Sequence, residues 1–195
     1  MRSIRVFAGL LLFIAVTGGC ASADKRFKQG SEAEIKGQYE QAVMRYVQAL
    51  EKEPGLEAAR IRLIESGNLA IADQLDQADG WADRGDPVSS ASHYHRADNV
   101  VARARTVGVR LNLPENYGTQ RRDVFDDAIG ALIEQGIMAR QQGRWQEGVA
   151  ASHQARRKFE PSMDQRNRAL AEEAVLYVQW SETEYQRENW REAFG

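Results

Sequence analysis

Cysteine is almost absent from this 195-residue chain: Cys20 is its one thiol. A lone cysteine forms no internal disulfide, so its chemistry lies outside the fold. Proline is confined to Pro54, Pro87, Pro114 and Pro161. The chain has no Gly-rich phosphate loop, no GxSxG elbow and no HExxH pair, which removes the usual signatures of nucleotide, acyl-transfer and zinc chemistry. An excess of one charge is also missing, with 26 Lys and Arg against 28 Asp and Glu. That mixture lacks the clustered positive footprint of a nucleic-acid binder. After Cys20 no alternating run of five or more residues marks a strand. What remains, rich in Ala, Glu, Gln and Arg, reads as all-α.

The one long apolar run is Val6–Val16, preceded by Arg2 and Arg5 and followed by small residues. A run of about eleven residues falls short of the roughly 20 that span a bilayer as a helix. Charged start, apolar middle and small-residue exit are the parts of a secretory leader. The stretch Val16-Thr17-Gly18-Gly19-Cys20 resembles the lipobox of bacterial lipoproteins, with Thr17 where Leu is usual. The resemblance implies a leader over 1–19, covalent lipid on Cys20 as the new N-terminus, and a short tether over 20–24. Ala21 in place of Asp implies the outer membrane. Multiple acyl chains hold a protein to a bilayer where a single chain holds only marginally. Loss of Arg2 and Arg5 makes the mature chain more acidic than its full-length charge of −2.

Residues 37–54 carry Gly37, Tyr39, Ala42, Tyr46, Ala49, Leu50 and Pro54. In type and spacing they resemble the second half of a tetratricopeptide repeat, a helix–turn–helix unit. Gly30 stands where the first helix of such a unit has its small residue. The same offsets recur from Gly85 (Pro87, Ser90, Tyr94, Ala97) and from Gly143 (Trp145, Gly148, Ser152, Ala155), with Gly136 in the place of Gly30. The intervals between these glycines exceed the family's repeat length, so the middle hairpins are stretched. The resemblance implies an irregular α-solenoid of stacked antiparallel hairpins over 25–195, each burying its apolar face on its neighbours.

Caps and stripes give the boundaries. An apolar stripe of three- and four-residue steps runs from Leu56 to Ala78. Asp86 caps and Pro87 opens the next helix, to about Val109. Thr119 is the expected cap of a helix burying Val124, Ala128, Leu132, Gln135 and Ala139. Ser162 and Gln165 form a capping box for a helix to about Glu188, with Leu170, Ala174, Val178, Ser181 and Tyr185 facing inward. Trp190 and Ala193 open a fourth copy that stops at Gly195, which reads as a longer protein cut short.

Candidate chemistry is sparse. His93 and His95 lie two apart on a helix and point to different sides, so they do not share a metal. Glu172, Glu173, Glu182 and Glu184 fall at solvent-facing helix positions. Arg156, Arg157 and Lys158 sit in a last helical turn, where cations offset the macrodipole. No catalytic residue and no metal site emerges, and no cofactor beyond the lipid on Cys20. In tetratricopeptide proteins the first helices line a groove for partner peptides. Carried across, those positions are Phe27, Ser31 and Glu34, Leu75 and Asp79, Ile133, Ile137 and Arg140, and Val178, Glu182 and Tyr185. The family's Lys and Asn clamp is missing, leaving a mostly apolar surface for a helix or extended segment. The expectation is a non-enzymatic, periplasm-facing envelope scaffold that holds a protein or peptide partner and binds neither nucleic acid nor small-molecule substrate. The alternative is the docking arm of a larger enzyme or assembly subunit extending past Gly195.

Overall fold

The computed structural model describes residues 23–194, and side chains as far as Arg187. Among the described residues there are seven helices and no strand. They are α1 (23–35), α2 (Tyr39–Lys52), α3 (Glu57–Ala82), α4 (Pro87–Thr106), α5 (Tyr117–Gln141), α6 (Trp145–Arg157) and α7 (Met163–Phe194). The leader, Cys20 and most of the expected tether lie outside the described residues.

One turn recurs. Gly37, Gly85 and Gly143 adopt φ of 69°, 72° and 69°, a left-handed conformation that a Cβ would disfavour. After each, the next amide reaches back to a carbonyl of the preceding helix: Gln38 to Ala33 at 2.9 Å, Asp86 to Trp81 at 3.1 Å, Arg144 to Ala139 at 2.8 Å. This satisfies the orphan carbonyls of a helix end. A new helix starts one residue later each time. Gly108 (φ 71°) closes α4 the same way, with Val109 N–H on the Ala104 carbonyl at 3.0 Å.

Downstream of the three hairpin turns, the matching positions are all buried: Ala42, Ser90 and Gly148, then Tyr46, Tyr94 and Ser152, then Ala49, Ala97 and Ala155. The small residues expected opposite them are needed. A Cβ on Gly30 would come within 2.5 Å of the Tyr46 ring, and one on Gly136 within 2.8 Å of Ser152 Oγ.

The chain divides into two compact units. The first holds α1, α2, α3 to Asp76, and Arg96–Pro114. Its core is Val43, Tyr46, Leu50, Leu63 and Ile71 with the small residues between them. The segment after α4 lies on α3: Leu111 fills the space a Gly67 side chain would need, and Asn112 N–H donates to Asn68 Oδ1 at 3.0 Å. The second unit holds Gln77–His95 and everything from Glu115. Here α6 packs on both α5 and α7, which also touch each other. Gly148 is what brings them close, since a Cβ there would sit 2.6 Å from Leu176 of α7 and 3.2 Å from the Gly136 carbonyl of α5.

Two caps stand as expected. Asp86 accepts from Ser89 N–H at 2.9 Å and from its hydroxyl at 2.7 Å. These bonds, hydroxyl first, hold its carboxyl below the ordinary value. Ser162 and Gln165 bond reciprocally at 2.8 and 3.2 Å.

Four expectations are corrected. Helix α5 begins at Tyr117 and not behind Thr119, because the Tyr117 ring packs 5.7 Å from Tyr94 and is drawn into the first turn. Gln135 is exposed and Val124 half-buried, while Ala128, Leu132 and Ala139 are buried as expected and the buried face widens to take in Phe125, Ile129, Ile133 and Gly136. On α7 the buried positions are Ala169, Glu173 and Leu176, while Leu170, Ala174, Val178, Ser181 and Tyr185 face solvent. Finally, α7 continues unbroken through Phe194, so Trp190 opens no new helix.

Candidate functional site

In the first unit, Phe27 and Ser31 are engaged with Tyr46. The Phe27 ring lies 5.6 Å from that of Tyr46, and Ser31 Oγ is 3.2 Å from its hydroxyl. Glu34, on the same face of α1, accepts from Tyr46 Oη at 2.8 Å and from Ser66 Oγ at 3.1 Å, with Arg62 at 3.7 Å. Burial, reinforced by Glu34, pushes the Tyr46 phenol up to about 12. Three helices thus converge on one carboxylate, a satisfied polar network that fixes α1 against α2 and α3. Leu75 is half-buried and Asp79 exposed.

In the second unit, Ile133 is only 3% exposed and belongs to the core, so it offers no surface to a partner. Ile137 is half-buried. Arg140 is committed to Glu172 at 2.5 Å, with Gln179 Oε1 at 3.5 Å. Glu173 likewise pairs with Arg156 at 3.1 Å. Both glutamates, expected to face solvent, point inward and hold α7 to its neighbours. Arg156 therefore anchors α7 as well as standing in the last turn of α6.

Val178 and Tyr185 are open, at 57% and 64% exposure. Around them stand Leu170, Ala174 and Tyr177, also exposed. The reading from sequence named Val178 and Tyr185 for the groove but placed their helical face in the core. The residues it missed are Leu170 and Tyr177 as surface groups. The available signal was that α7 carries apolar residues on two faces while its neighbours cover only one. Beside this stripe, Tyr177 stacks on Trp180 at 6.5 Å between ring centroids. An open cleft of about 360 Å³ follows, lined by Trp145, Trp180, Arg144, Glu147, Glu184 and Arg187.

The connection from α6 to α7 is the one strained segment described. Phe159 and Glu160 both have positive φ, 59° and 55°. Phe159 packs 5.2 Å from Phe125, and Glu160 takes a bidentate grip from Arg121 at 2.8 and 3.2 Å. That grip, more than its other surroundings, holds the Glu160 carboxyl below its ordinary value. The Arg121 guanidinium also covers the Phe125 ring at 4.3 Å. These contacts offset the backbone strain.

Among the described residues no group of three His, Cys, Asp or Glu side chains is placed to hold a metal ion. His95 and Asp98 are exposed and half-buried, respectively, and His153 is half-buried. No described helix is long and apolar enough to cross a membrane. Comparison with family models, with curated proteins and with solved structures finds no match to this chain.

Proposed function

We propose that this chain is a non-enzymatic scaffold of a bacterial cell envelope, tethered through lipid on Cys20, that holds a protein partner on its helical hairpins. The observation that carries the reading is the outer face of α7. Leu170, Tyr177, Val178 and Tyr185 lie along one face of α7, each between 50% and 64% exposed. An uncovered stripe of this kind on a helix whose other face is already packed marks an interaction surface. The thrice-repeated glycine turn supports an irregular tetratricopeptide-like stack, an architecture that presents helix faces to partners. The leader and lipobox resemblance support placement at the outer membrane, facing the periplasm.

A photoactivatable residue at Val178 tests the partner surface in intact cells, with exposed Thr119 of α5 as the control position. Protein adducts from position 178 and none from 119 are expected. Equal yields from both positions overturn the reading. The anchor is tested by Cys20→Ala, which should release the protein from the membrane fraction. Undiminished retention refutes attachment through Cys20.

A further inference from the structure

We infer that the partner fitted by the outer face of α7 is the same helix of a second copy of this chain, packed antiparallel. The inference rests on the scaffold reading above and names its partner.

A helix turns about 100° per residue, so Met163, Leu170, Ala174, Tyr177, Val178 and Tyr185 share an arc of about 100°. That arc lies away from the side that Ala169, Glu173 and Leu176 bury. It is the width of a normal packing stripe, and over 163–185 it runs for about 33 Å, close to three heptads. Its midpoint is Ala174, with Ala171 and Ser181 nearby, all exposed. Small side chains at the middle let two backbones approach closely, and the larger groups then interlock on either side.

Charge chooses the occupant and its direction. Arg166 and Glu184 are exposed and stand five full turns apart, on the same flank of the stripe. Arg168 and Glu182, also exposed, stand on the other flank. On each flank an arginine therefore stands toward the N-terminal end and a glutamate toward the C-terminal end, with exposed Asp164 one turn before Arg168. In a two-fold antiparallel arrangement centred level with Val175, Arg166 meets Glu184 of the second copy and Arg168 meets its Glu182. The two-fold axis makes each contact twice. Met163 then lies within about 3 Å of Tyr185 along the axis, and the stripe covers itself along most of its length. A parallel pair would set Arg166 against Arg168 at one end and Glu182 against Glu184 at the other, which disfavours it. Glu184 already pairs with Arg187 on its own helix at 2.9 Å, an exposed bond that leaves the second carboxylate oxygen to share. The surface is isologous, as a two-fold dimer requires.

The full chain, purified in density-matched detergent, should sediment as a dimer at roughly 100 µM, a concentration that fills a micromolar complex. Arg166→Glu places like charges together at two symmetric positions and should weaken association about tenfold. Adding Glu184→Arg to it restores the opposition and should recover the wild-type affinity across a concentration series. Both sites are exposed, so neither change disturbs the core. Ala174→Cys should form an intermolecular disulfide on oxidation that the wild-type chain, with Cys20 alone, does not. A monomer at every concentration overturns the inference, and so does failure of the double reversal to rescue. If the chain is a monomer while position 178 still crosslinks to a different protein, self-pairing falls and the scaffold reading stands. If it is a monomer and position 178 captures nothing, both fall.

Discussion

Gly30→Ala replaces a hydrogen with a methyl group in the middle of α1. In an open helix that change is favourable by about 1 kcal/mol, because alanine loses less backbone entropy than glycine. Here the new carbon would lie 2.5, 2.7 and 2.9 Å from three carbons of the Tyr46 ring. Carbon atoms rest at about 3.5–4.0 Å, so the ring must retreat by about 1 Å. It has no slack. Its hydroxyl is bonded to Glu34 at 2.8 Å and lies 3.2 Å from Ser31, and the Phe27 ring packs beside the Tyr46 ring at 5.6 Å, tilted by 48°. Overpacking costs about 1–3 kcal/mol, and losing a bond to a charged group about 1.5–3, so the net destabilisation is about 1.5–5 kcal/mol after the helix gain. Gly130→Ala supplies the control. It lies in α5 with nothing within 4 Å of the added carbon, and should stabilise by about 1 kcal/mol. Thermal unfolding followed by far-ultraviolet circular dichroism compares the two against wild type. A Gly30→Ala protein that melts no lower than wild type would refute the close α1–α2 contact and the reason given for glycine there.

The alkaline limb of stability should depend on Tyr46, whose phenol is raised to about 12 from an ordinary 10. Its contribution is whole below pH 10 and is lost between pH 10 and 12, at up to about 1.4 kcal/mol per pH unit for one proton. Tyr46→Phe should flatten that slope in a pH series of urea melts, leaving only the part due to Tyr94, which burial also raises. Asp86→Ala should cost about 1 kcal/mol at neutral pH by removing the α4 cap. Because the Asp86 carboxyl is lowered, this difference from wild type is present above about pH 4 and fades as pH falls through the depressed value; a constant gap down to pH 2 would argue against the cap. Phe159→Ala should cost about 3–5 kcal/mol as a large buried ring is removed. Glu160→Gly exchanges an exposed ion pair for relief of left-handed strain and should stay within about 1 kcal/mol of wild type, and a large loss would mean the Arg121 grip matters more than the backbone.

Local chemistry was the legible part of this sequence. A glycine that must take positive φ, an aspartate before a proline, and a serine three residues before a glutamine each act over one turn of chain. Gly37, Gly85, Gly143, Asp86 and Ser162 accordingly stand where their residue types place them. The reach of the repeat offsets is longer, and the positions they name are buried, because a small residue opposite Tyr46 or Ser152 is a requirement of volume. What failed depends on partners distant in sequence. Thr119 is a sound cap by type, but Tyr117 gains more from packing on Tyr94 and pulls the helix start back. Phe159 and Glu160 give no local sign of left-handed backbone, since their compensation comes from Phe125 and Arg121 on another helix. Phe27, Ser31 and Glu34 occupy positions that line a groove in the family resembled, but here Tyr46 and Ser66 reach them first.

Helix α7 poses the sharpest conflict between pattern and structure, and it is an energetic one. Its apolar stripe argues for burying Leu170, Val178 and Tyr185, whereas the helix is turned so that two carboxylates go inward. Burying a carboxylate is costly unless it is paired. Both are paired: Glu172 with Arg140 and Glu173 with Arg156, arginines drawn from α5 and α6. Leu176 seals this register by entering the space left by Gly148. Rotating α7 to bury the outer stripe would withdraw Leu176 from that space and strip two half-buried arginines of their partners. Removing one member of such a pair costs about 3–5 kcal/mol when the pair is fully buried, and less here in proportion to exposure. A stripe of four large apolar side chains, half exposed already, gains about 1 kcal/mol or so each on further burial. The two choices exclude each other within one chain, but not between two. The inward carboxylates find their cations on α5 and α6, and the outer stripe keeps its remaining burial energy for the partner surface proposed above. A helix written this way is core on one side and leaves an apolar stripe exposed on the other, which is why reading it as a single-faced helix put Val178 and Tyr185 on the wrong side.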